Sequence, residues 1–238
     1  MARGLIFNCV AILAALYMPA PQVALSQGSG VAVVENTPEE TKPAITKEIP
    51  DKRPVESDIS VMGTIPDGDY RMYSATVRCT AWTVGIEYDR RLGHVLRSRM
   101  DYVAEVLPLV FLSQPAISDF WGNAKSPNQQ IVYGISVLPL GFRFLWRNNR
   151  AVKPFVVGKV GAIAFTKKAF SPAASYANFN VQAAFGLQIR LKERVDLRVE
   201  PFEFFHVSNA YLAASNPGMD QLATRIGITY HLGRREGR

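Results

Sequence analysis

Two stretches of the chain alternate apolar and polar residues with a period of two. Val181, Ala183, Phe185, Leu187, Ile189 and Leu191 form one face, and Asn180, Gln182, Ala184, Gly186, Gln188 and Arg190 form the other. Near the C-terminus Leu222, Thr224, Ile226, Ile228, Tyr230 and Leu232 oppose Ala223, Arg225, Gly227, Thr229 and His231. Successive side chains of a strand point to opposite faces, so this period predicts β-strands. Eight strands are expected, at about 57–64, 70–89, 96–113, 130–147, 152–167, 178–192, 194–209 and 221–232. Pro66-Asp67-Gly68, Asn148-Asn149 and Lys192-Glu193 read as turns between them, and His94 reads as a turn residue. Longer loops are expected at 115–128, 168–177 and 210–218. Several strands exceed ten residues, which suits tilted strands that run past a membrane.

Branched and aromatic residues on one face, with small and polar residues on the other, fit two architectures. A soluble barrel turns its polar face outward, and a barrel in lipid turns it inward. The ends of the chain favour lipid. Arg3 followed by an apolar run over 5–17 and the small residues of Ala24-Leu25-Ser26 read as an export signal, residues 1–26, cleaved before Gln27. Residues 27–56 are rich in Pro, Glu, Lys and Thr and read as a disordered linker, leaving 57–238 for the barrel. The fold class expected is all-β, an eight-stranded antiparallel transmembrane β-barrel in the cell outer membrane. Thirteen Phe, nine Tyr and three Trp suit that fold.

Charge and cysteine content add limits. The net charge of +7, of which Arg3 leaves with the signal, suits an anionic partner, and export argues against nucleic acid. Cys79 would be the one cysteine remaining after cleavage, so no internal disulfide is expected. No cluster of His, Cys and carboxylates has ligand spacing, so neither a metal nor another cofactor is expected.

The chemistry concentrates in 206–220. His206 and Ser208 lie two apart on a strand and so share a face, with α-carbons roughly 6.5–7 Å apart. The imidazole can reach the hydroxyl, and a hairpin can return Asp220 to His206. A nucleophilic serine needs a base, and the base needs an acid to fix its tautomer. Glu203 faces the other way, and Glu200 lies far along the strand.

The string His206-Val207-Ser208-Asn209-Ala210, followed by Asn216-Pro217-Gly218-Met219-Asp220, resembles the active-site segment of the outer-membrane lipid A 3-O-deacylases, the PagL family. Elsewhere the resemblance is one of strand layout and of pieces such as Pro139-Leu140-Gly141-Phe142-Arg143 and Val152-Lys153-Pro154-Phe155. It implies a carboxylic ester hydrolase acting on lipid A of lipopolysaccharide. Ser208 would be the nucleophile and His206 the base. Asp220 would stand where the family often has the longer Glu. Backbone N–H groups at Asn209 and Ala210, aided by Asn216, would hold the oxyanion, and Phe202 and Phe204 the acyl chain. The partners implied are lipid A and outer-membrane lipid, and a homodimer is left open.

A lipid-cleaving site should face lipid, yet Asp196, Arg198 and Glu200 put the polar, inward face on even numbers. At Pro201 the pattern switches. A β-bulge near Pro201 is therefore expected to turn Phe202, Phe204, His206 and Ser208 outward. Two other functions fit the same fold: a non-catalytic structural or adhesive barrel, and an acyloxyacyl hydrolase that removes secondary acyl chains.

Overall fold

The computed structural model describes residues 56–232 apart from 75 and 77. The signal read over 1–26, the linker up to residue 55 and the tail 233–238 lie outside the described residues. Eight strands follow in order: β1 (Ser57–Tyr70), β2 (Thr80–Val95), β3 (Ser98–Pro115), β4 (Gln129–Leu145), β5 (Val152–Phe165), β6 (Ala177–Lys192), β7 (Val195–Ser208) and β8 (Met219–His231). Each pairs antiparallel with its neighbours in sequence, and β1 pairs with β8 to close the barrel. The strands are 13 to 18 residues long. At about 3.3 Å per residue and a tilt of about 40°, they rise well beyond an apolar band of about 25 Å.

The faces are those of a barrel in lipid. Trp82, Val84 and Ile86 of β2, and Ile226, Ile228 and Tyr230 of β8, are exposed. On the alternate positions Thr83, Glu87, Arg225 and Thr229 are buried in the interior. The interior is filled rather than open. Around its middle, Lys159 Nζ sits 2.9 Å from Glu87 and 2.5 Å from Glu105, while Arg198 pairs with Glu200 at 2.7 Å. Arg225 reaches Glu105, Glu200 and Glu203. Toward the short-turn end, Arg143 binds Asp89 and Asp101, and Lys153 binds Asp196. An unpaired charge in such a place would be driven to neutralise, so the cations and anions alternate across the lumen. Toward the other end the filling becomes apolar, with Leu107, Leu112, Val132, Leu138, Ile163, Phe205 and Val207 packed together.

Connections of two to six residues join the strands at one end, at 96–97, 146–151 and 193–194. Longer loops at 71–79, 116–128, 166–176 and 209–218 crown the other. Short turns mark the periplasmic side of an outer-membrane barrel and long loops the outside.

Two expectations about turns need correction. Pro66-Asp67-Gly68 is a bulge inside β1: Pro66 opposes Ala223 and Asp69 opposes Gln221, three steps against two. The chain turns only after Tyr70, because a bulge uses the same residue types as a turn. His94 likewise lies within β2, opposite Arg99. The turn that follows is Leu96-Arg97, with φ of 48° and 64°, the positive values that two-residue hairpins require.

Candidate functional site

The expected break is at Pro201. Glu200 opposes Arg225 and Glu203 opposes Ala223, so β7 takes three steps while β8 takes two. The same slip occurs against β6, between Val199↔Leu187 and Phe202↔Phe185. One extra residue exchanges the faces. Glu200 and Glu203 are thereby both buried in the lumen, whereas Phe202 is exposed and His206 and Ser208 are half-buried on the outer face.

Beyond the bulge the pairing is regular, and His206 stands directly opposite Asp220. Paired residues project to one face, within reach of each other. His206 Nδ1 lies 2.6 Å from Asp220 Oδ1, so the shorter aspartate spans the gap. A carboxylate can only accept, so Nδ1 carries the proton and Nε2 is left as the basic nitrogen. The second oxygen, Oδ2, accepts backbone N–H groups from Met72 at 2.8 Å, Tyr73 at 2.5 Å and Ser74 at 2.8 Å. Tyr70, the last residue of β1, pairs with Asp220. The chain leaving β1 thus wraps over the carboxylate, whose side chain is fully covered. Sequence reasoning missed these three donors. They are main-chain groups on a segment read as strand, and no side-chain type announces them.

Ser208 ends β7. Its hydroxyl donates to Asn216 Oδ1 at 3.1 Å rather than to His206. The same Oδ1 accepts the Asn209 N–H at 2.7 Å, so this expected oxyanion donor is engaged. The Ala210 N–H lies 3.2 Å from Ser208 Oγ. Asn209 builds the turn from within: its buried side chain donates to the Ser215 carbonyl at 2.7 Å and accepts from the Tyr211 N–H at 3.0 Å. Ala210 and Tyr211 are held at φ of 50° and 61°, a strained conformation for L-residues that a side-chain-braced loop can maintain. On the return, Gly218 has φ of 60°, and an added Cβ would lie 3.1 Å from the Val207 carbonyl.

Aromatic rings enclose the base. Phe204 lies parallel to the His206 ring, 10° between planes and 6.3 Å between centroids. Tyr73 stands edge-on to both, 6.2 Å from each. With Phe202, these rings give the site an apolar flank on the lipid side. Among the described residues no group of three His, Cys, Asp or Glu side chains could hold a metal ion.

Fold and site together define a class: an outer-membrane β-barrel bearing Ser, His and Asp at its outer rim, facing lipid. Residues 99–229 match the lipid A 3-O-deacylase (PagL) family, and the chain belongs to that family. No curated protein matches the chain in sequence. Among solved structures, the outer membrane enzyme PagL is similar over 71% of this chain and 97% of its own, with 16% identity and a TM-score of 0.51. The outer membrane protein OprG from Pseudomonas aeruginosa aligns over 76% of this chain and 98% of its own, with 12% identity and a TM-score of 0.42.

Proposed function

We propose that this protein hydrolyses an ester-linked acyl chain of lipid A, the one at position 3, through an acyl-enzyme on Ser208. The observation that carries the reading is the 2.6 Å contact of His206 Nδ1 with Asp220, on the lipid-facing rim two residues from Ser208. Rotation of the Ser208 hydroxyl from Asn216 to His206 Nε2 would complete the relay. Oγ then attacks the ester carbonyl as Nε2 takes its proton. Collapse of the tetrahedral intermediate breaks the ester C–O bond, and the imidazolium returns the proton to the departing lipid hydroxyl. Water, deprotonated by the same nitrogen, releases the fatty acid. The Ala210 N–H, already directed at Oγ, is the nearest backbone candidate to meet the oxyanion, and Asn216 stands beside it. Such donors act on charge that develops only in the transition state.

Mass spectrometry of lipid A from cells producing the protein tests the reading. Loss of one hydroxyacyl chain relative to cells without it is the expected result. Loss of a secondary chain instead would assign an acyloxyacyl hydrolase. Unchanged lipid A, with the barrel shown to be folded in the outer membrane, would favour a non-catalytic surface barrel.

Asn216 gives a narrower prediction. Its amide holds both the Ser208 hydroxyl and the Asn209 N–H, so Asn216→Ala loosens the nucleophile and its turn together. The turn that Asn216 braces through the Asn209 N–H carries the Ala210 N–H offered to the oxyanion, so the deacylation kcat is expected to fall by about 10²-fold with little change in KM. Steady-state kinetics of the refolded protein would check it.

A further inference from the structure

The geometry points to Tyr73 as a positioning residue for His206: an aromatic lid that holds the imidazole against Asp220 and keeps water from their hydrogen bond. This role rests on the esterase reading above. Tyr73 touches the pair at both ends. Its backbone N–H donates to Asp220 Oδ2 at 2.5 Å. Its ring meets the imidazole edge-on, at 82° between planes, and meets Phe204 edge-on at 73°. The electropositive edge of one ring against the face of another is a favoured arrangement, so the stacked Phe204–His206 pair and Tyr73 hold one another in place.

The loop carrying Tyr73 is anchored on both sides. Met72 and Ser74 donate to the same carboxylate oxygen, and the Thr76 hydroxyl donates to the Gly218 carbonyl. Gly122 packs so closely over this corner that a Cβ there would lie 2.8 Å from Thr76 Cγ2 and 2.7 Å from Pro217 Cβ. The main chain thus fixes where the ring can stand. With the ring there, 20% of the His206 side chain remains accessible.

The competing explanation is a plain one. Tyr73 is 65% exposed, and aromatic residues belt the rims of outer-membrane barrels without touching any chemistry. A belt residue would leave the state of His206 unchanged, and this separates the two. Tyr73→Ala removes the ring but keeps the amide that binds Asp220. Tyr73→Phe keeps the ring, and Tyr73→Leu keeps the bulk without it.

The test uses the full chain refolded in detergent micelles, with folding checked by heat-modifiable electrophoretic mobility. Two quantities are read: lipid A deacylation, and the low-field proton resonance of His206 Nδ1–H, assigned by its loss in His206→Ala. Tyr73→Ala and Tyr73→Leu are expected to lower kcat about tenfold with KM within about twofold, while Tyr73→Phe stays near the wild type. The resonance should be sharp in the wild type and in Tyr73→Phe, and broadened by exchange with water in the other two. Unchanged kcat and an unchanged resonance in Tyr73→Ala would overturn the proposal. So would a rise in KM alone, which would make Tyr73 a substrate contact. If the wild type itself shows no turnover, the esterase reading fails. The resonance then decides the positioning role alone: equal spectra for wild type and Tyr73→Ala overturn it.

Discussion

Ser208→Ala is expected to abolish loss of the acyl chain from lipid A, and Asp220→Asn to slow it by about 10⁴-fold, the scale seen when a triad base is held in the wrong tautomer. The second substitution follows from how the carboxylate is held. Asp220 presents one oxygen to three backbone N–H groups and the other to His206 Nδ1. Asparagine has a single oxygen. If that oxygen keeps the three amides, the NH₂ group faces Nδ1, and the imidazole proton must move to Nε2. The nitrogen that should accept the serine proton is then already occupied. If the amide flips, its NH₂ group opposes three donors, and the loop over 72–74 loses its anchor. The shape is preserved and the chemistry fails either way. Lipid A mass spectrometry from cells producing each variant, together with rates for the refolded proteins, would check both.

The barrel's stability should depend as strongly on Arg225. Its guanidinium lies against Glu105, Glu200 and Glu203 inside the lumen. Glu105 is also bound by Lys159, and Glu200 by Arg198, at 2.5 and 2.7 Å. Glu203 has a lesser second partner, the Thr64 hydroxyl at 3.2 Å. Arg225→Met leaves an excess of buried negative charge, with Glu203 the least compensated. Removing one member of a buried ion pair costs about 3–5 kcal/mol, and a loss of that order is expected here. Adding Glu203→Gln should recover part of it, because the amide removes the stranded charge while still accepting from Thr64. Urea unfolding midpoints of the barrel refolded into phospholipid vesicles would show the drop and its partial rescue.

The parts of the molecule differ in how plainly the sequence announces them. Strands β6 and β8 declare their existence and their two faces, because each carries an unbroken period-two pattern, and the polar face is the inward one once the barrel is placed in lipid. The bulge at Pro201 is legible for a related reason. Phe202 and Glu203 fall on the wrong faces for the register set by Asp196, Arg198 and Glu200, and an added residue resolves the conflict. The bulge at Pro66-Asp67-Gly68 is misread, since no such conflict accompanies it and its residues equally suit a turn. That one error displaces β2 and hides the most important support in the site. Met72, Tyr73 and Ser74 act on Asp220 through main-chain N–H groups, which every non-proline residue possesses. His206 and Asp220 can be paired by spacing alone. The partner of the Ser208 hydroxyl cannot, because Asn216 reaches it only through the strained turn at Ala210 and Tyr211.

The filled lumen has a kinetic consequence. Arginine and lysine side chains occupy the middle of the barrel and apolar ones its outer half, so nothing travels through it to Ser208. His206 and Ser208 lie instead on the outward face at the rim, beside the exposed Phe202. Under the proposed function, substrate therefore arrives by lateral diffusion, and the quantity that sets the rate is its number per unit area of membrane. Dilution of the suspension would leave turnover unchanged, whereas diluting the substrate with inert lipid in the same leaflet would slow it.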